Sequence, residues 1–207
     1  TMQIARQVFA METAENALIF FKNGDPAYIT KRFDVTEDGS KWAQEDFASL
    51  AGRTPQTHGE DFKYSGNYFE LFEVLKKYTP AYTVESIKLF KLILFNYLFS
   101  NGDAHFKNFS LIETPLLNSR LHIDDKDFAL NDGLLPLNLA QGKVTEQFYL
   151  LAELAGISKK QAKKVFEDLT SKQDEVLALI EASFLNDKSK RNYTQGYQTR
   201  LKKLLRP

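Results

Sequence analysis

Residues 100–112, Ser-Asn-Gly-Asp-Ala-His-Phe-Lys-Asn-Phe-Ser-Leu-Ile, decide how the rest of the chain is read. They come directly after a long apolar segment and set Asp103, His105, Lys107 and Asn108 in one short loop. The apolar segment reads as a helix ending at Gly102, and Phe109-Ser-Leu-Ile112 reads as a strand that begins at once. A polar loop clamped between two buried elements holds its side chains more rigidly than a free surface loop does.

An acid at the start of a short loop and an amide five residues later is also the spacing of kinase catalytic loops, where the Asp accepts a hydroxyl proton and the Asn holds Mg²⁺. Spacing alone is a weak signal, because acids and amides are common. The fuller pattern is specific. Asn101-Gly-Asp103-Ala-His105-Phe-Lys107-Asn108-Phe-Ser110 resembles the catalytic loop of the HipA-type serine/threonine kinases of bacterial toxin–antitoxin systems, which runs N-x-D-x-H-x-K-N-(F/W)-S. Two other stretches resemble the same family in the same order: Tyr28-Ile-Thr-Lys-Arg-Phe-Asp34, similar to its nucleotide-binding hinge, and Gln44-Glu45-Asp46, similar to its Q-E-D helix start.

The resemblance covers most of the chain and implies an α+β, kinase-like fold. A small lobe over residues 1–34, carrying a β-hairpin and the hinge, would precede a mainly helical catalytic lobe over residues 35–207. It implies ATP and Mg²⁺, transfer of the γ-phosphate to a protein hydroxyl, an aminoacyl-tRNA synthetase as target and a small DNA-binding antitoxin as partner. On this reading Asp103 is the base, Asn108 a metal ligand, and Lys107 the cation that steadies the transferred phosphate or Asp103 itself. His105 would line the nucleotide site; without the motif it reads as a loop histidine bonded to backbone.

Composition sets the outer bounds. With 207 residues, 43% of them hydrophobic, the chain can bury one large core or two small ones. Its 27 basic and 27 acidic residues cancel, so no global field draws it to nucleic acid or acidic membranes. It has no cysteine, which excludes disulfides and thiolate chemistry and suits a reducing cytoplasm. Neither terminus reads as a signal peptide. The oily run from Ile87 to Phe99 is interrupted by Lys88, Lys91 and Asn96 and is too short to span a bilayer, so no membrane is expected.

Along the chain, residues 2–12 suit a short helix, and Ala17-Leu-Ile-Phe-Phe21, Asn23-Gly24 and Ala27-Tyr-Ile-Thr30 suit a hairpin with a tight primed turn. Its second strand leads into Lys31, Arg32 and Phe33. The residues allow either an ordinary edge hairpin or a hinge whose amides bind adenine beside Phe33; the resemblance favours the hinge. A helix is predicted over residues 43–51, with Gln44, Glu45 and Asp46 in its first turn. Residues 52–67 read as an exposed connection holding His58. The next helix is predicted over residues 68–78, with Phe69, Phe72 and Leu75 on its inner face, and then a core helix over residues 83–101. After the loop, Phe109 to Ile112 and Arg120 to Ile123 are strand candidates around a Leu116-Leu-Asn-Ser119 turn, and residues 124–142 are loop. Helices are predicted from Thr145 to Ala155, stopped by Gly156, from a Ser158–Gln161 capping box to about residue 171, over 173–185, and over 188–206. The last is rich in Lys and Arg, which reads as a solvated face or, alternatively, a patch for phosphate-bearing partners.

The chain departs from the family pattern in two places. The ten glycines are so scattered that no G-x-G or other phosphate-cradling loop exists, and the region before residue 17 is too short to hold one with its strand lysine. The family also places a Mg²⁺-binding Asp between the catalytic loop and the next strand, and here Pro115 runs straight into Leu116. Either that Asp is deleted, with Asp124 or Asp125 as substitute, or a stretch is missing between Pro115 and Leu116. The second is favoured because Leu116-Leu-Asn-Ser119 resembles the family's residues just after that Asp. The competing classes are a non-catalytic binding module, one half of a split kinase whose N-terminal lobe comes from another chain, and a metal hydrolase built on His105, His122 and Asp124, which lacks any family spacing.

Overall fold

In the computed structural model, which describes residues 1–112 and 130–206 together with the backbone of Arg120–Ile123, the chain opens with helix α1, Met2–Gln7. Its Ile4 and Ala5, with Phe9 just beyond, are buried in the main core, and the Phe9 ring lies 5.9 Å from that of Phe95. Residues 2–9 therefore pack with the helical body. Strands β1, Asn16–Phe20, and β2, Pro26–Thr30, then pair antiparallel with Leu18 opposite Tyr28. The turn differs from the tight primed form suggested by Asn23-Gly24. Only Gly24 takes a positive φ, +86°, and five residues make the connection, closed by the Phe21 N–H donating to the Asp25 carbonyl at 2.9 Å.

The predicted helix over residues 43–51 is corrected. Gln44–Asp46 is a strand, β3, and helix α2 starts only at Phe47 and ends at Leu50. Sheet pairing overrides local preference here: β3 lies antiparallel to β4, Phe109–Ile112, with Asp46 opposite Ser110, and the Gln44 amide donates to Ser110 Oγ at 2.8 Å. Asp46 keeps the role its acid suits, accepting the Ser49 N–H as N-cap. Strand β5, Arg120–Ile123, completes the order β3-β4-β5.

Between α2 and the next long helix, residues 52–67 are less exposed than their composition suggests. They include a short helix, α3, Pro55–His58, but also the buried Arg53 and Asn67 and the half-buried Phe62 and Tyr64. Helix α4, Tyr68–Tyr78, has the predicted bounds and a capping box between Asn67 and Glu70. It buries Tyr68, Leu71, Phe72, Val74 and Leu75, whereas Phe69 is only partly covered.

Helix α5, Tyr82–Leu98, is the core helix. Leu89, Phe90, Ile93, Leu94 and Leu98 are all fully buried, as its broad apolar surface predicts. It ends earlier than expected, because Ser100 rather than Gly102 takes the left-handed conformation that turns the chain, at φ +58°. Helices α6, Val144–Leu154, α7, Lys159–Thr170, α8, Gln173–Glu181, and α9, Asp187–Leu205, complete the helical body: α7 and α9 pack on α5, α6 packs on α7 and α9, and α8 packs on α9. Gly156 ends the first at φ +74°, and Ser158 and Gln161 cap the second reciprocally. Helix α9 buries Tyr197, Leu201 and Leu204, and the Tyr197 ring stacks on Phe99 at 5.0 Å, while Lys188, Lys202 and Lys203 face outward.

Candidate functional site

The loop after α5 is tied to buried structure at nearly every residue. Asn101 is buried, its N–H donates to the Asn96 carbonyl and its side-chain amide to Asn96 Oδ1, both at 2.9 Å. The Ala104 carbonyl accepts the Tyr68 hydroxyl at 2.9 Å. Phe106 is fully buried, and its N–H donates to the Lys63 carbonyl at 3.1 Å. The Arg53 guanidinium lies 3.8 Å from the centre of the Phe106 ring and donates to the Ser65 carbonyl and the Glu70 carboxylate. A single 3-10 turn, Phe106–Asn108, then feeds β4. With Ala104 and Phe106 pointing inward, Asp103 and Lys107 are left toward solvent.

Asp103 is 36% exposed. Its Oδ1 accepts from the Tyr64 hydroxyl at 3.3 Å and lies 3.5 Å from His105 Nε2, whereas Oδ2 has no hydrogen bond among the described residues. The Asp103 carbonyl is occupied too: it accepts the His105 N–H at 2.7 Å and the Asn108 side-chain amide. That second bond fixes the Asn108 side chain by its donor end and leaves its oxygen as an acceptor. Lys107 is exposed, with Nζ 5.9 Å above the Phe62 ring.

His105 is only 5% exposed, and its Nδ1 is buried with no hydrogen-bond partner among the described residues. Burial holds its pKa below the ordinary histidine value against the pull of Asp103, and Lys63 and Lys107 add to the depression. The ring is therefore neutral at neutral pH. It meets Tyr64 edge-on, with ring centres 5.0 Å apart.

The hinge candidates follow β2 directly. Lys31 pairs with Glu15 at 3.5 Å, both exposed. Arg32 donates from Nε to Asp34 Oδ1 at 2.9 Å, and its second prong meets Oδ2; this fork holds the Asp34 carboxyl below the ordinary carboxylate range. Phe33 is half-buried. The fold thus gathers Asp103, His105, Lys107 and Asn108 in one loop, while the charges of Lys31 and Arg32 bond to their own neighbours.

For Mg²⁺, Asn108 supplies one oxygen. Among the described residues no group of three His, Cys, Asp or Glu side chains could hold a metal. The Pro115–Leu116 junction, the fallback ligands Asp124 and Asp125, and the side chain of His122 lie outside the described residues. Tyr64, Lys63 and Arg53 belong to the site's surroundings without any motif having marked them. The one hint is aromatic: Phe62, Tyr64 and Tyr68 are large rings in a stretch otherwise polar enough for a loop.

A family profile described as the HipA-like C-terminal domain matches residues 1–177. The chain is 31% identical over 98 residues to Y4mE of Sinorhizobium fredii (strain NBRC 101917 / NGR234), a protein named as a candidate kinase, covering 44% of this chain and 22% of that one. Y4dM of the same strain, named in the same way, is 38% identical over 97 residues with the same two shares. The match thus spans about a fifth of the length of these curated relatives. Among solved structures, HipA from the Shewanella oneidensis MR-1 toxin–antitoxin complex of HipA, HipB and operator DNA superposes with a TM-score of 0.63 at 17% identity, over 97% of this chain and 52% of that one. The Helicobacter pylori proinflammatory kinase CtkA gives 0.60 at 12% identity, over 96% and 79%. At such identities the likeness is one of fold.

Proposed function

The chain belongs to the HipA-like C-terminal domain family, and from that premise we propose that it is the catalytic portion of a HipA-like serine/threonine protein kinase that uses ATP and Mg²⁺. The observation that carries this reading is the state of Asp103. A carboxylate in the loop after a buried helix, bonded through one oxygen and with no partner at the other among the described residues, suits a base for an incoming hydroxyl.

In the step itself, Asp103 Oδ2 takes the proton of the acceptor hydroxyl as that oxygen bonds to the γ-phosphorus. The bond from phosphorus to the β–γ bridging oxygen breaks, and its electron pair leaves with ADP. Lys107 lies exposed four residues on and offsets charge on the transferred group. His105, neutral, lines the site without adding a cation beside the base. Asn108 Oδ1 would hold Mg²⁺, which would supply positive charge to offset that of the phosphates. A carboxamide oxygen is a donor that Mg²⁺ accepts, and a second ligand would come from a stretch missing between Pro115 and Leu116 or, failing that, from Asp124 or Asp125. Residues 31–33 serve as the hinge, the β1–β2 hairpin is what is present of the small lobe, and the helical lobe runs from residue 35 onward with residues 2–9 packed on it. An aminoacyl-tRNA synthetase is the substrate and a DNA-binding antitoxin the partner that the family reading suggests; the HipA relative was solved with HipB and operator DNA.

Replacing Asp103 with Asn tests the assignment. Phosphate transfer should fall by about 10²- to 10⁴-fold with an unchanged melting temperature, the range for loss of a general base; full activity in that variant refutes it.

One observation favours a second reading, in which these residues are half of a kinase completed by other polypeptide. On the β1–β2 hairpin, side chains of both faces are exposed: Phe21 and Tyr28 at 59% and 57%, with Leu18, Ile19 and Ile29 not far behind. Two-stranded hairpins of this kind gain stability only from further packing. Titrating Mg-ATP by calorimetry against the 207 residues alone separates the readings. Binding at micromolar to millimolar level, the usual substrate range, supports a self-sufficient site, and silence supports completion by other polypeptide.

A further inference from the structure

Tyr64 lies 39 positions before Asp103, in a segment whose composition reads as a plain loop, yet its hydroxyl reaches the carboxylate. We propose that Tyr64 is a positioning residue for Asp103, bracing Oδ1 so that Oδ2 is the oxygen presented to the acceptor hydroxyl. This inference rests on the kinase reading for its catalytic consequence, though not for the brace itself.

Three observations carry it. Among the described residues the Tyr64 hydroxyl donates to Asp103 Oδ1 at 3.3 Å and His105 Nε2 lies 3.5 Å from that same oxygen, so the two oxygens are not equivalent. A carboxylate held by one oxygen keeps a fixed plane, and its free oxygen keeps a fixed direction. The tyrosine is itself held on several sides. Its N–H donates to the Asp61 carbonyl and its carbonyl accepts the Asn131 N–H, both at 2.9 Å. Its ring stands edge-on to His105 at 83°, and Lys63 Nζ lies 4.9 Å over it. Finally, the brace and the loop are stitched together beside the contact, through the Phe106 N–H to the Lys63 carbonyl and the Lys107 ammonium over Phe62. Residues 62–64 and 103–107 thus behave as one unit, and the hydroxyl is the part of Tyr64 that touches the base.

The substitution that isolates the hydroxyl is Tyr64→Phe, which keeps the ring against His105. In the full-length protein that carries these residues, kcat should fall roughly tenfold to a hundredfold, as expected for losing one hydrogen bond to a charged group. KM for Mg-ATP should stay within about twofold and the melting temperature should stay put. An unchanged kcat, or a fall in kcat matched by a fall in melting temperature, overturns the catalytic role. A second measurement needs no turnover. By amide hydrogen exchange, Tyr64→Phe should speed exchange at His105 and Asn108, and Asp103→Ala should speed it at residues 62–66. Unchanged exchange in both variants overturns the brace. Wild-type phosphate transfer and its loss in Asp103→Asn judge the kinase reading separately, so failure of that reading still leaves the brace decided by exchange.

Discussion

The loop at residues 101–108 and the hairpin at residues 16–30 are both short, both stand out by sequence pattern, and the fold treats them in opposite ways. The loop is polar, yet it is held by the body: the buried Asn96 at its start, the buried Tyr68 and half-buried Lys63 in its middle, and the buried Arg53 across the Phe106 ring. The hairpin is apolar, yet its side chains face solvent on both sides, and its one described ring contact with the body is Phe20 against Phe184 at 5.1 Å. Residue polarity therefore predicts neither location. The difference between the two regions lies in where their backbones are anchored. The loop continues directly from α5 into β4, both buried, whereas among the described residues the hairpin pairs only with itself.

The largest test of this contrast is Phe106→Ala. The ring is fully buried beneath Arg53, so its loss should cost about 3–5 kcal/mol, the range for emptying a core aromatic site. Chemical denaturation measures it, and a cost under about 1 kcal/mol would mean the loop is held by its hydrogen bonds alone. A smaller effect is expected at His105. Its pKa is lowered in the folded chain, so below the ordinary histidine value of about 6.5 the unfolded state binds a proton that the folded state resists. Stability should therefore fall as pH drops through that value and level off once the folded imidazole also protonates. His105→Gln should flatten that part of the profile, and an unaltered slope would show that the ring is not responsible. The smallest effect is predicted for the hairpin. Leu18→Thr with Ile19→Thr, one on each face, should change stability by no more than about 0.5 kcal/mol in these 207 residues. A loss above about 2 kcal/mol would erase the contrast by showing that the hairpin leans on the body.

Much of the fold was legible because it depends on periodicity. The apolar spacing of residues 68–78 gave that helix its bounds, and Ser158 with Gln161 marked the start of α7, since capping is a local interaction. The failures have a common cause. Gln44–Asp46 carries acids that suit a helix start, but its backbone groups are claimed by β4, some 64 residues later. Gly102 was the obvious helix stop, yet Ser100 turns the chain, held there by Asn101 bonding back to Asn96. Residues 52–67 looked solvated because Gly, Thr and Gln are polar, while Arg53 and Tyr64 are recruited inward by partners distant in sequence.

By itself the sequence determined the helical body, the hairpin and the four polar groups of the loop, because each depends on neighbours within a few positions along the chain. Only the tertiary structure decided that Oδ1 of Asp103 is held while Oδ2 has no partner among the described residues, that burial lowers the pKa of His105, and that Tyr64 stands beside both. Those features depend on distances between segments that meet only after the core has formed, and no local spacing encodes them.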